Sequence, residues 1–434
     1  MRWYLLLLFS ISLLHSAQGL TLEQAMLKLR EQNIELSLAE FDEKIASLEE
    51  QIANAASFGS LDIAQSITRS NEALNVFGFK LQSREVSSAD FMPSSSLNFP
   101  QSRNHFDTAL VYSLPLYSGG KITTHQKITQ ALKELKGLEK EQRIAQKIFE
   151  LKKTFYTLSL LEFHQAQLKR VLVNIETMHA RSEALLNEGY VKKVDVMEVE
   201  TRKNAIERLF HQTKASHAIL LNYVSFLLNE EVNAIVPISE SLVFTQAIKS
   251  QILEQNVDIQ KALKALEITK LSTTLGESAF LPTVGIMARY GSANDKWLKE
   301  FSTNEYYTLG LMVRWNIFNG GADSASLEQS RVAYLKAKQN VTLAQKSTLL
   351  QLEKLSIEIG HDSFEIESLQ QELALAEAIY KNYEQRYSEK LVAIHEVLSK
   401  QSEAISVRLR LHEFQNRRNE KIFEYEMIHS KELP

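Results

Sequence analysis

Leu114-Pro115-Leu116-Tyr117-Ser118-Gly119-Gly120 returns, in weaker form, as Trp315-Asn316-Ile317-Phe318-Asn319-Gly320-Gly321. Each copy closes a run of alternating residues and opens a far longer run of helical period. Gly119 and Gly320 stand 201 residues apart, and the same offset recurs downstream, where Gly189 to Met197 matches Lys390 to Leu398. An offset held over roughly 80 residues reads as an internal duplication, each half carrying a two-strand, long-helix unit. Glycine tolerates backbone conformations that a Cβ forbids, so Pro115, Gly119, Gly120, Gly320 and Gly321 are assigned to the two strand-to-helix junctions.

Just ahead of the first junction, Phe106, Thr108, Leu110, Tyr112, Leu114 and Leu116 fall on one face, and Asp107, Ala109, Val111 and Ser113 on the other. The second half repeats this, with Tyr307, Leu309, Leu311, Val313, Trp315 and Ile317 set against Thr308, Gly310, Met312, Arg314 and Asn316. Runs of about 11 residues approach the length of a tilted membrane-spanning strand. Leu110, Tyr112, Leu114, Leu311, Val313 and Trp315 are accordingly read as lipid-facing, and Arg289 and Arg314 as lining the opposite face. A weaker strand precedes each run, giving predicted strands at 60–69, 106–117, 282–290 and 306–318. A soluble, half-buried hairpin would alternate in the same way, and alternation alone leaves that option open. The loop after the first strand, 70–105, is long and carries Phe77-Gly78-Phe79, Phe91 and Phe99, whereas its counterpart at 291–305 is short.

Beyond each Gly-Gly the helical pattern runs over 121–187 and 322–388, on the order of 100 Å at 1.5 Å per residue. Ile144, Ile148, Leu151, Phe155 and Leu158 step by four and three, a heptad seam that pairs helices as coiled coils. Turns are expected at 188–193 and 389–392, with return helices at 194–229 and 393–430. Gly189 suits a left-handed helix end, and Lys390 occupies the matching place less comfortably. Helices at 22–58 and 244–280 open the two halves, which span 20–236 and 237–434, with Ala25, Asn33 and Ile34 answering to Ala247, Asn256 and Val257.

The N-terminus reads as a secretory signal over 1–19, with Arg2, an apolar core from Leu5 to Leu14, and a small-x-small site at Ala17-Gln18-Gly19. The 434 residues contain no cysteine, which excludes disulfides, thiol catalysis and a lipidated N-terminal cysteine. A formal charge of −4 supplies no basic excess for nucleic acid. No phosphate loop, nucleophile elbow or metal-ligand spacing occurs, so the expectation is a non-enzyme without cofactor or metal. His211 and His217 are too far apart in sequence for a helical metal pair. No other segment reads as a spanning helix, so any insertion into lipid must use strands. Four strands per chain cannot close a barrel, because the smallest have about eight and lipid cannot satisfy an open edge. The chain must therefore oligomerise, and a hollow tube suits long helices better than a plugged eight-strand barrel.

Taken together, the signal peptide, the twofold repeat, Pro115 to Gly120 with its copy, and the Gly189…Asp195-Val196-Met197 turn resemble the outer-membrane efflux (TolC) family over essentially the whole mature chain. The resemblance implies a mixed α and β membrane protein: a homotrimer with one 12-stranded outer-membrane barrel, four strands per chain, continued by a coiled-coil periplasmic tunnel. It implies the exit duct of a tripartite efflux pump or type I secretion system of a Gram-negative bacterium. The partners implied are a periplasmic adaptor, an inner-membrane efflux or ABC transporter, and outer-membrane lipid. By the same resemblance Glu396, Asp195 and Glu198 would constrict the periplasmic tip. Gly189, Val194, Val196, Met197, Lys390, Val397 and Leu398 would sit on the adaptor-contact turns. Val392 departs from a basic latch found in some members, and Ser399 from a second acid. Asp195 and Glu396 equally suit plain helix starts, where the helix dipole favours acids. The competing reading is a soluble periplasmic coiled-coil adaptor or scaffold.

Overall fold

The computed structural model describes residues 19–238, 242–297, 303–389 and 391–429. The expected signal peptide, apart from Gly19, and Lys390 lie outside them. In chain order the elements are α1 (Leu22–Gln32), α2 (Ile34–Ala55), β1 (Ser60–Ser70), α3 (Ala73–Gln82), α4 (Ser94–Asn98), β2 (Arg103–Tyr117), α5 (Lys121–Asn187) and α6 (Lys193–Leu228). They continue as α7 (Lys249–Gln255), α8 (Val257–Glu277), β3 (Thr283–Asn294), β4 (Glu305–Arg314), α9 (Ala322–Ser388) and α10 (Ile394–His429). Helices α5 and α9 have 67 residues each, and α6 and α10 have 36 each.

The helix expected at 22–58 is two helices, divided at Asn33, whose backbone is extended (φ −69°, ψ 123°). Its amide donates to the carbonyl of Leu227 at 2.7 Å, and its Oδ1 accepts the N–H of Leu36 at 3.0 Å. A buried side chain that caps the next helix competes successfully with the backbone bond it replaces. Asn256 does the same between α7 and α8, donating to the Ile428 carbonyl at 2.7 Å and accepting from Ile259 at 3.0 Å. The helix expected from 244 begins only at Lys249. The strand expected at 306–318 ends at Arg314, because its partner β3 begins at Thr283, directly opposite. Trp315 to Ile317 therefore lie beyond the sheet, and β3 runs on to Asn294 instead of ending at 290.

The chain divides into two compact units. One holds residues up to 41, 137–261 and from 342 on. Two of its core clusters correspond: Ala25, Leu29, Ile148, Leu151, Phe155, Leu158, Val224 and Leu227 in one, and Ile252, Leu349, Leu352, Ile359, Ile422 and Tyr425 in the other. Ile148 and Leu349, Leu151 and Leu352, Leu158 and Ile359, and Val224 and Tyr425 occupy corresponding places at the offset read from the Gly-Gly copies. The heptad seam is thus the buried seam. On α9, the wholly buried carboxylate of Asp362 accepts from Arg417 Nη2 (2.5 Å) and Lys421 Nζ (2.9 Å) of α10. Burial pushes this carboxyl up, but the hydrogen bonds from Arg417 and Lys421 outweigh it and hold it below its usual range.

The other unit, 42–136 and 262–341, contains a four-stranded antiparallel sheet in the order β1-β2-β3-β4. Leu110 lies opposite Ile63 and Tyr290, and Tyr290 opposite Tyr307. Leu114 lies opposite Ile286, which faces Leu311. Register therefore gathers the apolar residues of all four strands on one face, as the alternation of each predicted. The opposite face carries Asp107, Arg289, Tyr306 and Met312. There Arg289 donates to Asp107 (2.5 Å) and to the Tyr306 hydroxyl (2.9 Å), which itself donates to Asp107 (2.5 Å). The segment expected as a long loop at 70–105 instead holds α3 and α4.

Candidate functional site: an apolar sheet face and two helix turns

On the sheet, Leu110, Tyr112, Leu311 and Val313 are exposed, Leu311 by 66%, and Leu114 is half-buried. A contiguous exposed apolar surface across four strands exceeds what a water-facing sheet carries. Trp315 is also exposed, but it hangs past the end of β4 with its indole N–H donated to the Phe280 carbonyl at 3.0 Å. An aromatic with one hydrogen-bonded end at the rim suits an interface position better than a strand-centre one. Strands β1 and β4 each present one edge without a partner among the described residues. In lipid such edges are untenable unless another copy pairs with them.

At both junctions from sheet to helix the glycines adopt left-handed backbone. Gly119 and Gly120 have φ of +63° and +82°, and Gly320 and Gly321 +59° and +86°. Ser118 accepts the N–H of Lys121 at 3.1 Å, and Asn319 that of Ala322 at 2.9 Å, so each pair turns the chain directly into its helix.

At the far ends of α5 and α9 the chain reverses. Gly189 has φ +80°, and Tyr190 donates to the Leu185 carbonyl at 2.8 Å, the closing bond of a left-handed helix end. The second turn makes the matching bond, Leu391 to the Arg386 carbonyl at 2.9 Å, without a glycine. Asp195 and Glu396 are both the third residue of the helix that follows. Their states differ. The Asp195 carboxylate accepts the N–H of Lys192 at 2.7 Å and so caps α6. The Glu396 carboxylate has no such partner among the described residues, and Glu198 is exposed.

Val194 and Met197 are exposed beside these acids. Val196, Val397 and Leu398 are buried, Val397 completely, and Leu398 belongs to a cluster with Leu168, Ile175, Val199 and Ile394. Val196 and Val397 are thus interior to the turn, whereas Leu398 also reaches the groove beside it. Lys390 lies outside the described residues. Val194, Met197, Glu198, Arg202, His395 and Leu398 line one groove of about 430 Å³ between α6 and α10. Sequence reading passed over Arg202, whose Nε is buried without a partner and whose charge is disfavoured by that burial. Its spacing of four from Glu198 was the available signal, but such spacings are commonplace on exposed helix faces.

Among the described residues no helix is long and apolar enough to cross a membrane, and no cluster of three or more potential ligands could hold a metal ion. Residues 248–421 match the family model described as outer membrane efflux protein. No curated protein matches the sequence. Among solved structures, the chain resembles the Campylobacter jejuni CmeC outer membrane channel, with TM-score 0.81 and 14% identity over 94% of this chain and 85% of that one. It also resembles the open state of the Neisseria gonorrhoeae MtrE outer membrane channel, with TM-score 0.79 and 14% identity over 94% and 89%. A third likeness is to VceC of Vibrio cholerae, with TM-score 0.77 and 16% identity over 94% of both chains. At these identities the likeness is one of fold.

Proposed function

We propose that this chain, residues 248–421 of which match the outer membrane efflux protein model, is an outer-membrane protein and the exit duct of a tripartite efflux pump or type I secretion system. Three copies pair edge to edge, β4 of one against β1 of the next, to give a 12-stranded barrel continued by a coiled-coil tunnel. The two halves descend from one duplicated unit, a reading supported by the equal helix lengths and by the matched core positions. The duct conducts passively and catalyses nothing; energy comes from an inner-membrane transporter coupled through a periplasmic adaptor. The adaptor meets the exposed Val194 and Met197 beside the groove, and a ring of three Glu396 carboxylates favours cations at the constriction. What carries the proposal is the apolar face that register assembles from four strands, bounded by two unpaired edges.

Purified protein in a planar bilayer tests this. The expectation is a detergent-stable trimer with small, cation-selective steps, and loss of selectivity in Glu396→Gln. Selective steps indifferent to that change would keep the duct and move the constriction. Absence of both trimer and conductance would favour a soluble coiled-coil adaptor.

A further inference from the structure

The segment 71–102 between β1 and β2 does not stand off the sheet. Helix α3 packs on both β2 and β3. Phe79 stacks on His105, with ring centroids 4.2 Å apart and planes 6° from parallel, and Val76 is buried. His105 belongs to the row of Asp107 and Ala109, so α3 covers the polar face, opposite Phe106, Leu110 and Tyr112. Just past α3, Arg84 donates from Nη2 to the carbonyl of Glu305 at the start of β4, at 3.1 Å. The segment thus reaches from the β1–β2 hairpin to the opposite edge of the sheet. Arg84 holds φ +54°, a conformation non-glycine residues seldom adopt unless their surroundings impose it.

Two ion pairs clasp the segment, Lys80 with Asp90 and Arg103 with Glu85. Asp90 also accepts the N–H of Ser87 at 2.7 Å. The hydrogen bond from Lys80, then that from Ser87, holds its carboxyl down to about 2. The attachment lies at the end of the strands remote from the junctions at Gly119 and Gly320, since β1 follows α2 and β2 leads to α5.

Size turns this placement into a function. Twelve strands about 4.8 Å apart, tilted about 40°, enclose a tube roughly 24 Å across between backbones. A helix with its side chains is about 10–12 Å wide, so one lying on the wall reaches about to the axis. Resting on the trimeric-barrel reading above, we propose that three copies of residues 71–102 obstruct the outer mouth. They form a size barrier to compact solutes.

The absence of native cysteine allows a clean test on intact cells. Met312→Cys places a thiol on the polar face near the junction end of β4, so a reagent from outside must pass the strap. Ser95→Cys, exposed in α4, serves as the control for surface display. A small sulfonated maleimide and a maleimide-bearing cyclodextrin are compared. In the parent background the cyclodextrin is expected to label Ser95→Cys readily and Met312→Cys poorly. Labelling of Met312→Cys should rise at least severalfold in two variants, Phe79→Ala with Arg84→Ala, and replacement of 71–102 by a short turn. Equal labelling of Met312→Cys in all backgrounds, with Ser95→Cys displayed, overturns the strap and leaves the channel. Failure to label either position from outside overturns the channel reading, and the strap with it.

Discussion

A methyl group added at Gly119 would lie 2.8 Å from Cβ of Leu281 and 3.0 Å from the Ser278 carbonyl, whereas at Gly320 nothing lies within 4 Å. Both residues have positive φ, which costs an alanine about 1–2 kcal/mol. Gly320→Ala should lose about that much. Gly119→Ala adds overpacking against a backbone atom and should lose roughly 2–4 kcal/mol. Thermal unfolding of the assembled protein would show the difference, and equal losses would refute the close approach. Asp362 poses a different problem. Replacing it with Asn leaves Arg417 without its carboxylate while Lys421 keeps Glu358 at 3.5 Å, at a cost of about 2–3 kcal/mol, moderated because Arg417 can turn toward water. Its folded pKa is depressed, so its contribution is complete above the ordinary carboxylate value and lost as pH falls through the depressed one. The Tm gap between parent and Asp362→Asn should therefore stay constant from neutral pH down to about 5 and close only below about 4.

Strand β4 makes the element-scale prediction sharper than alternation alone could. Leu311 lies within it on the apolar face, and Trp315 lies beyond its end. Leu311→Arg should cost about 2–4 kcal/mol of membrane assembly, and Trp315→Arg about 0–1 plus its bond to Phe280. Heat-modifiability of the assembled species on gels would rank them, and equal impairment would put the membrane boundary elsewhere. The sequence could not separate these two because Trp315 and Ile317 continue the alternation; what ends the strand is the start of its neighbour at Thr283. The long helices were legible to the residue, since Gly-Gly at one end and a reversal at the other bound an unbroken period. The Asn33 and Asn256 breaks were not, because each depends on a carbonyl roughly 170 to 190 residues away. The folded segment 71–102 escaped for a similar reason: Phe77-Gly78-Phe79 has no period of its own, and its partner His105 lies across the sheet face. At the turns, Asp195 and Glu396 look alike in sequence, and only hydrogen bonding separates the capping Asp195 from Glu396, which has no such bond among the described residues.

For the whole molecule, the number four has a consequence of parity. The sheet meanders up and down in sequence order, so β1 and β4 run in opposite directions. Any two copies laid side by side in the same orientation therefore join by an antiparallel seam, with the same hydrogen-bond pattern as inside each chain. An odd count would force a parallel seam at every boundary. With four, the sheet is indifferent to how many copies close the ring: each added copy widens it by the same increment and mismatches nothing. In the proposed ring the choice of stoichiometry then falls to the helices, whose heptad seams admit only certain neighbours. Grafting residues 60–117 and 283–314 onto a helical assembly of another symmetry would build a barrel of another width from the same strands.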